Sequence, residues 1–376
     1  MERIIKFVKD EIVLTVAVVL AILSAFIVPI DAQYIEYIDF RTLAILFCLM
    51  AVMVGLQDVG VFKKIAGALL SKVHSVSGVV FILVFLCFFS SMLITNDVAL
   101  ITFVPFTFIV LNLLGEDKRK ALVIPVVVLQ TIAANLGSML TPIGNPQNLY
   151  LYGKAGMGFA EFILLMLPYT TASFVLIGVM AFFVGRKNAG NIDSTLQEMP
   201  SLKEKRTALV RYLLLFALAI ATVVHVVPYP ITLGITVLMF LVFDRSLLKK
   251  VDYALLVTFV GFFVFIGNMG RIPAFYNLLQ SVVEGNEILV SVVASQAISN
   301  VPAALLLSAF TTNIEGLIIG TNLGGLGTLI ASMASLISYK YIAKENVCKK
   351  GQYFVAFTVA NILLLIILLL FTYAFN

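Results

Sequence analysis

A chain of 376 residues that is 61% hydrophobic, has mean hydropathy +1.08 and carries only 12% charged residues cannot hide its apolar surface in a soluble fold. Uncharged windows such as Ile12 to Ile30 and Tyr353 to Asn376 are long enough to be transmembrane helices, so the chain reads as an all-α polytopic membrane protein. The net charge of +5 does not imply nucleic acid, because the basic residues lie between apolar runs, where membrane orientation is decided.

Met1 to Glu11 is charged, and the span after it has no small-residue cleavage site. It reads as the lead into a first helix, not as a removed signal peptide. Ile12 to Ile30 crosses, Asp31 to Asp39 is a short acidic loop, and Thr42 to Leu56 crosses back. Val61 to Ser75 sets Lys63, Lys64, Lys72 and His74 among Ile65, Leu69, Leu70 and Val73, an amphipathic piece suited to the interface. Val76 to Leu114 forms two apolar arms around Thr95-Asn96-Asp97. Ala121 to Tyr152 crosses with a polar break from Asn135 to Asn148, and Phe159 to Val184 returns.

A polar loop from Gly185 to Thr207 joins two halves. Arg211 to Val227 crosses, Ile231 to Phe243 returns, and Tyr253 to Met269 crosses again. Arg271 to Glu287 is a second amphipathic linker. Ile288 to Thr312 is interrupted at Ser299-Asn300, and Leu317 to Ser338 is interrupted from Thr321 to Ser335. A last span follows Lys340, Lys344, Lys349 and Lys350. Cys48, Cys87 and Cys348 lack metal spacing and read as packing residues. His74 and His225 lie at span edges.

Of the 25 Lys and Arg, all but Arg41, Lys154 and Arg271 fall on one side of this path, which places the N-terminus in the cytoplasm of a cell membrane. That balance survives only if 288–312 is a re-entrant hairpin. A full span there would carry Lys340 to Lys350 to the opposite side. The arm Ile288 to Ile298, 11 residues, is roughly 16 Å of helix, about half the hydrocarbon thickness.

The two breaks align. Asn135-Leu136-Gly137-Ser138-Met139-Leu140-Thr141-Pro142-Ile143 matches Asn322-Leu323-Gly324-Gly325-Leu326-Gly327-Thr328-Leu329-Ile330 at five of nine positions. The tips pair Thr95-Asn96 with Ser299-Asn300. Tip and break are 39 residues apart in the first half and 22 in the second. The expected organisation is an inverted-topology repeat with two re-entrant hairpins and two broken transmembrane helices. Residues 1–185 form the first repeat (hairpin 76–114, broken helix 121–152). Residues 186–208 form a cytoplasmic linker. Residues 209–376 hold a connecting helix and the second repeat (hairpin 288–312, broken helix 317–340).

Broken helices at the midplane are where secondary transporters bind their solute. Helix ends there present N–H groups to an anion. The expected substrate-binding residues are Thr95, Asn96, Thr141, Gly144, Asn145, Asn148, Ser299, Asn300, Thr321, Asn322, Thr328 and Ser332. For a coupling ion, Na+ or H+, they are Asp97, Asn96, Gly137, Asn300 and Gly324. Intramembrane acids are costly, so Asp97 reads as functional, with N-capping of its helix arm as the alternative. The absence of His-Glu-x-x-His, Gly-x-Ser-x-Gly and Walker A patterns argues against an enzyme or an ATP-driven pump. A passive channel is a remote alternative.

At Thr95-Asn96-Asp97-Val98, Gly137 to Asn148, Ser299-Asn300-Val301-Pro302 and Leu323 to Ser335 the chain resembles the ion transporter superfamily. That group includes the divalent anion:sodium symporters (citrate-transporter-like permeases) and their arsenite efflux and sodium/proton antiporter relatives. The symporters carry Ser-Asn-Thr at both tips, and the third residue departs here in both. The resemblance implies a homodimer, an elevator-type transport domain against a static scaffold, and Na+ sites where tip meets break. The expected partners are a small anionic solute, the coupling ion and the lipid bilayer, with no other cofactor and no nucleic acid. Arsenite efflux or Na+/H+ antiport is the alternative activity.

Overall fold

A computed structural model describes residues 11–188, 190, 206–345 and 350–375. The expectations for Arg3, Lys6, Lys9, Lys203, Lys205, Cys348 and Lys349 lie outside the described residues.

With no water to satisfy backbone groups in hydrocarbon, a chain of this composition must close its hydrogen bonds within helices. In chain order these are α1 (Ile12–Ile27), α2 (Phe40–Val59), α3 (Val61–Leu70), α4 (Val76–Ile94), α5 (Asn96–Leu113), α6 (Glu116–Ser138), α7 (Pro146–Ala155) and α8 (Phe159–Lys187). There follow α9 (Arg206–Val223), α10 (Tyr229–Phe243), α11 (Tyr253–Gly270), α12 (Pro273–Val283), α13 (Glu287–Ile298), α14 (Asn300–Leu307), α15 (Ile314–Leu323), α16 (Met333–Lys344) and α17 (Lys350–Phe375). Among the described residues, eight helices are long and apolar enough to cross a membrane. The chain is therefore a multi-pass membrane protein.

The helices pack in two groups. One gathers α1 against α11, and α9 and α10 against α2. The other surrounds α6, which packs on α4, α5, α8, α16 and α17. Of the apolar window of α6, 83% is buried, against 22% for α17, so α6 is an inner helix and α17 faces outward.

Charged contacts sort by end. Lys250 pairs with Asp58 at 3.2 Å, Arg211 with Asp244 at 2.5 Å, and Arg119 with Glu345. All these residues fall on the basic side of the path read from the sequence. Arg271 pairs with Asp31 at 2.7 Å, and Arg41 donates to Val223 O at 3.3 Å, all on the other side. Glu287 accepts from Thr311 Oγ1 at 2.8 Å, so the two ends of the segment containing α13 and α14 lie together.

Several boundaries differ from the sequence reading. α6 runs through Asn135 to Ser138, so the first break is only Met139 to Asn145. α15 holds Thr321 and Asn322, so the second break is Gly324 to Ser332. In both cases Asn and Thr tolerate a buried helix end because their side chains bond the local backbone or a neighbour. The tips are one residue long, Thr95 and Ser299, with Asn96 and Asn300 already helical. The arms α4 and α5 have 19 and 18 residues, each long enough to cross, whereas α13 and α14 have 12 and 8, roughly 18 and 12 Å of helix. α12 and α13 meet at 111°.

Candidate functional site

At both tips the chain reverses through the same unusual backbone conformation. Thr95 has φ 68 and ψ 151, and Ser299 has φ 73 and ψ 153. This region is almost reserved for glycine and costs a side-chain-bearing residue on the order of 1–3 kcal/mol. Surrounding contacts hold it in place. The Asn96 N–H donates to Gly144 O at 3.1 Å, and the Asn300 N–H donates to Ala331 O at 3.0 Å. Gly144 and Ala331 each precede the N-cap of a second half-helix, Asn145 for α7 and Ser332 for α16.

The same match continues one turn back from each tip. Thr141 Oγ1 donates to Met92 O at 2.5 Å, and Thr328 Oγ1 donates to Gln296 O at 3.3 Å. Gly137 lies so close to α4 that a Cβ would fall 2.1 Å from Phe88 O and 2.7 Å from Ser91 Oγ. At Gly324 a Cβ would fall 2.6 Å from Ser295 Oγ. Glycine is used here because only bare main chain fits. Each hairpin and its neighbouring break thus form a clamp, the first from α4, α5, α6 and α7 and the second from α13, α14, α15 and α16.

Asparagine and serine side chains join the two clamps. Asn145 Nδ2 donates to Asn322 Oδ1 at 3.0 Å, and Ser332 Oγ donates to Asn135 Oδ1 at 3.0 Å. Asn96 Nδ2 donates to the same Asn135 Oδ1 at 3.0 Å. Asn322 Nδ2 donates to Asn148 Oδ1 at 2.6 Å, and Asn148 Nδ2 donates to Thr141 O at 3.2 Å. All of these side chains are buried. The N-termini of α5, α7, α14 and α16 therefore meet around a neutral amide network, an arrangement that favours negative charge.

The predicted residues divide by what their polar atoms do. Thr321 lies within α15 and donates to Leu317 O at 2.7 Å, so its hydroxyl is held by its own helix. Thr141, Thr328 and Gly144 hold the clamps, as above. Ser299 Oγ lies 3.5 Å from Ala331 O. Asn300 is buried, its Nδ2 3.0 Å from where a Cβ on Gly325 would be. Thr95 and Asp97, with Asn145 of the amide network, line a cleft of about 140 Å³, together with Gln57, Lys250 and Asp252 from the other helix group. Asp97 Oδ1 is buried there and finds no hydrogen-bond partner.

Sequence reasoning missed Gln57, Lys250 and Asp252, which reach the cleft from segments far away in the chain. It also missed Gln296, whose amide lies inside the second clamp. A lone glutamine in an apolar arm was the available signal. Among the described residues no group of three or more His, Cys, Asp or Glu is placed to hold a metal ion, and Cys48 and Cys87 are buried and unpaired.

A family model described as a citrate transporter matches residues 3–316. The chain belongs to the citrate transporter family. It is 33% identical over 363 residues to an uncharacterised transporter of Methanocaldococcus jannaschii, covering 95% of each chain. It is 29% identical over 321 residues to an inner membrane protein, YbiR, of Escherichia coli, covering 85% of this chain and 84% of that one. A silicon efflux transporter of Oryza sativa subsp. japonica is 30% identical over 142 residues, 38% of this chain and 28% of its own. This citrate transporter family member is thus a membrane anion transporter.

Proposed function

We propose that the protein is a secondary active transporter of a small anion, a carboxylate or inorganic oxyanion, coupled to Na+ or H+ and working by an elevator movement. The observation that carries this reading is the matched pair of clamps, with tip dihedrals within 5° of each other and the same contacts at equivalent positions. They support an inverted-topology repeat with its solute site at the repeat interface. The helix group around α6 is the moving body, and the group of α1, α2, α9, α10 and α11 is the scaffold. The basic end of the molecule faces the cytoplasm, and two copies pair through their scaffolds in the cell membrane. The cleft beside Thr95, Asp97 and Asn145 receives the solute. At about 140 Å³ it suits a few heavy atoms, since a water occupies about 30 Å³. Coupling-ion contacts come from Asp97, Asn96, Gly137, Asn300 and Gly324.

Uptake into proteoliposomes of a panel of carboxylates and oxyanions, under imposed Na+ or H+ gradients, tests the proposal. Accumulation against a concentration gradient is expected, with large losses in Asn96→Ala and Asn300→Ala. Flux that only equilibrates the solute would mean a passive channel.

Proton-coupled efflux is a second reading, favoured by the unpartnered Asp97 Oδ1 and by a relative named for silicon efflux. Under it Asp97→Asn removes the pH dependence of transport. Under sodium symport the same variant retains it.

A further inference from the structure

We infer that the Gln296 side chain stands in for a cation in the second clamp, so that this clamp closes without an ion and coupling is confined to the first. The inference rests on the transporter reading and narrows it, removing Asn300 and the Gly324 carbonyl from the coupling-ion contacts.

Gln296 leaves α13 one turn before the Ser299 tip and points into the second break. Its Nε2 lies 3.1 Å from Val292 O, 3.1 Å from Gly324 O and 3.0 Å from Leu326 O. Its Oε1 accepts from the Thr328 N–H at 2.9 Å. A backbone N–H can only donate, so that bond fixes which end of the amide is oxygen, and the NH2 end therefore faces the three carbonyls. Converging carbonyl oxygens are the ligands that a hard cation takes from a protein. Here the positive end of a neutral amide occupies their centre.

The break is shaped around this amide. Gly327 has φ +106, and a Cβ there would fall 2.2 Å from Gln296 Oε1. The equivalent residue of the first hairpin is Met92, which has no such donor. There the break carbonyls are approached by Asn148 of α7, with Nδ2 to Met139 O at 3.4 Å and to Thr141 O at 3.2 Å. The second hairpin is thus tied to its break by a side chain of its own arm, and the first is not. A cation entering the second clamp would have to displace two N–H donors of this half-buried side chain from three carbonyl acceptors, a costly exchange.

Hydrogen–deuterium exchange on the full-length protein in nanodiscs tests the assignment, comparing NaCl with choline chloride at pH 6 and pH 8. In the unmodified chain, segments 292–300 and 324–332 should exchange equally in both salts. In Gln296→Met, which copies the first hairpin, and in Gln296→Ala, those segments should exchange roughly tenfold faster in every condition. Segments 92–97 and 137–145 serve as the internal control for folding. Slower exchange of the second-clamp segments in Na+ than in choline would overturn the inference. So would exchange left unchanged by both substitutions. If the first-clamp segments respond to neither Na+ nor pH, the ion-coupled reading fails while the role of Gln296 stands. If both variants unfold, the salt comparison on the unmodified chain decides alone.

Discussion

Thr95 and Ser299 share a backbone conformation that their side chains disfavour, and the strain lies where two half-helices must turn within one residue. Replacing either by glycine removes about 1–3 kcal/mol of strain, against about 0.5–1 kcal/mol for the added freedom of the unfolded chain. Ser299→Gly should therefore raise the thermal midpoint of the detergent-solubilised protein. A lower midpoint would mean that the hydroxyl, 3.5 Å from Ala331 O, matters more than the dihedral. Gly144 is the opposite case. A Cβ there would fall 2.0 Å from Ser138 O, a backbone atom that cannot yield. Gly144→Ala should cost about 3 kcal/mol, whereas Gly234→Ala, with nothing within 4 Å in the middle of α10, should be neutral or slightly stabilising. Comparing the two midpoints separates close approach from a general effect of glycine.

Between elements, the link from one break to the other is made of side-chain amides, and its strength can be measured. A double-mutant cycle on Asn145→Ala and Asn322→Ala should return a coupling of about 0.5–3 kcal/mol, because each side chain removed leaves a buried partner unpaired. A coupling near zero would mean that the two clamps fold independently. Much of this pairing was legible in the sequence. Asn135-Leu136-Gly137 and Asn322-Leu323-Gly324 carry the same residue types at the same offsets, and so do Thr141 and Thr328. The clamps need those types, a glycine for close approach and a hydroxyl for the hairpin carbonyl. Other features left no trace at the level of residue type. A positive φ at a threonine or serine is imposed by tertiary contacts. The helical state of Thr321 and Asn322 follows from α15 continuing to Leu323, two residues past Thr321. For Gln296 the residue type was a signal, a lone glutamine in an apolar arm, but its role was not legible, because only the fold brings the carbonyls of Gly324 and Leu326 to it. The cleft partners Gln57, Lys250 and Asp252 come from the other helix group, and no local pattern announces which segments face one another.

For the molecule as a whole, the question is whether the two helix groups move against each other. Their contacts are sparse and partly polar. Gln57, which lines the cleft that holds Asp97, donates from Nε2 on α2 to Thr102 Oγ1 on α5 at 2.9 Å. Contacts of this kind are weak enough to break during a domain movement, since a net hydrogen bond contributes only about 1 kcal/mol. An elevator must break this one in every cycle. A chain with its native cysteines replaced and carrying Gln57→Cys with Thr102→Cys should lose uptake when a short thiol-specific cross-linker spans the pair, and recover it on reduction. Cross-linking within one group should leave uptake intact, for example between α4 and α6 at Leu83→Cys with Gln130→Cys, where Gln130 Nε2 lies 3.0 Å from Leu83 O. Transport that continues with the 57–102 pair fully cross-linked would show that solute passes while α2 and α5 stay together. The movement would then have to be sought within the clamps, at the one-residue tips.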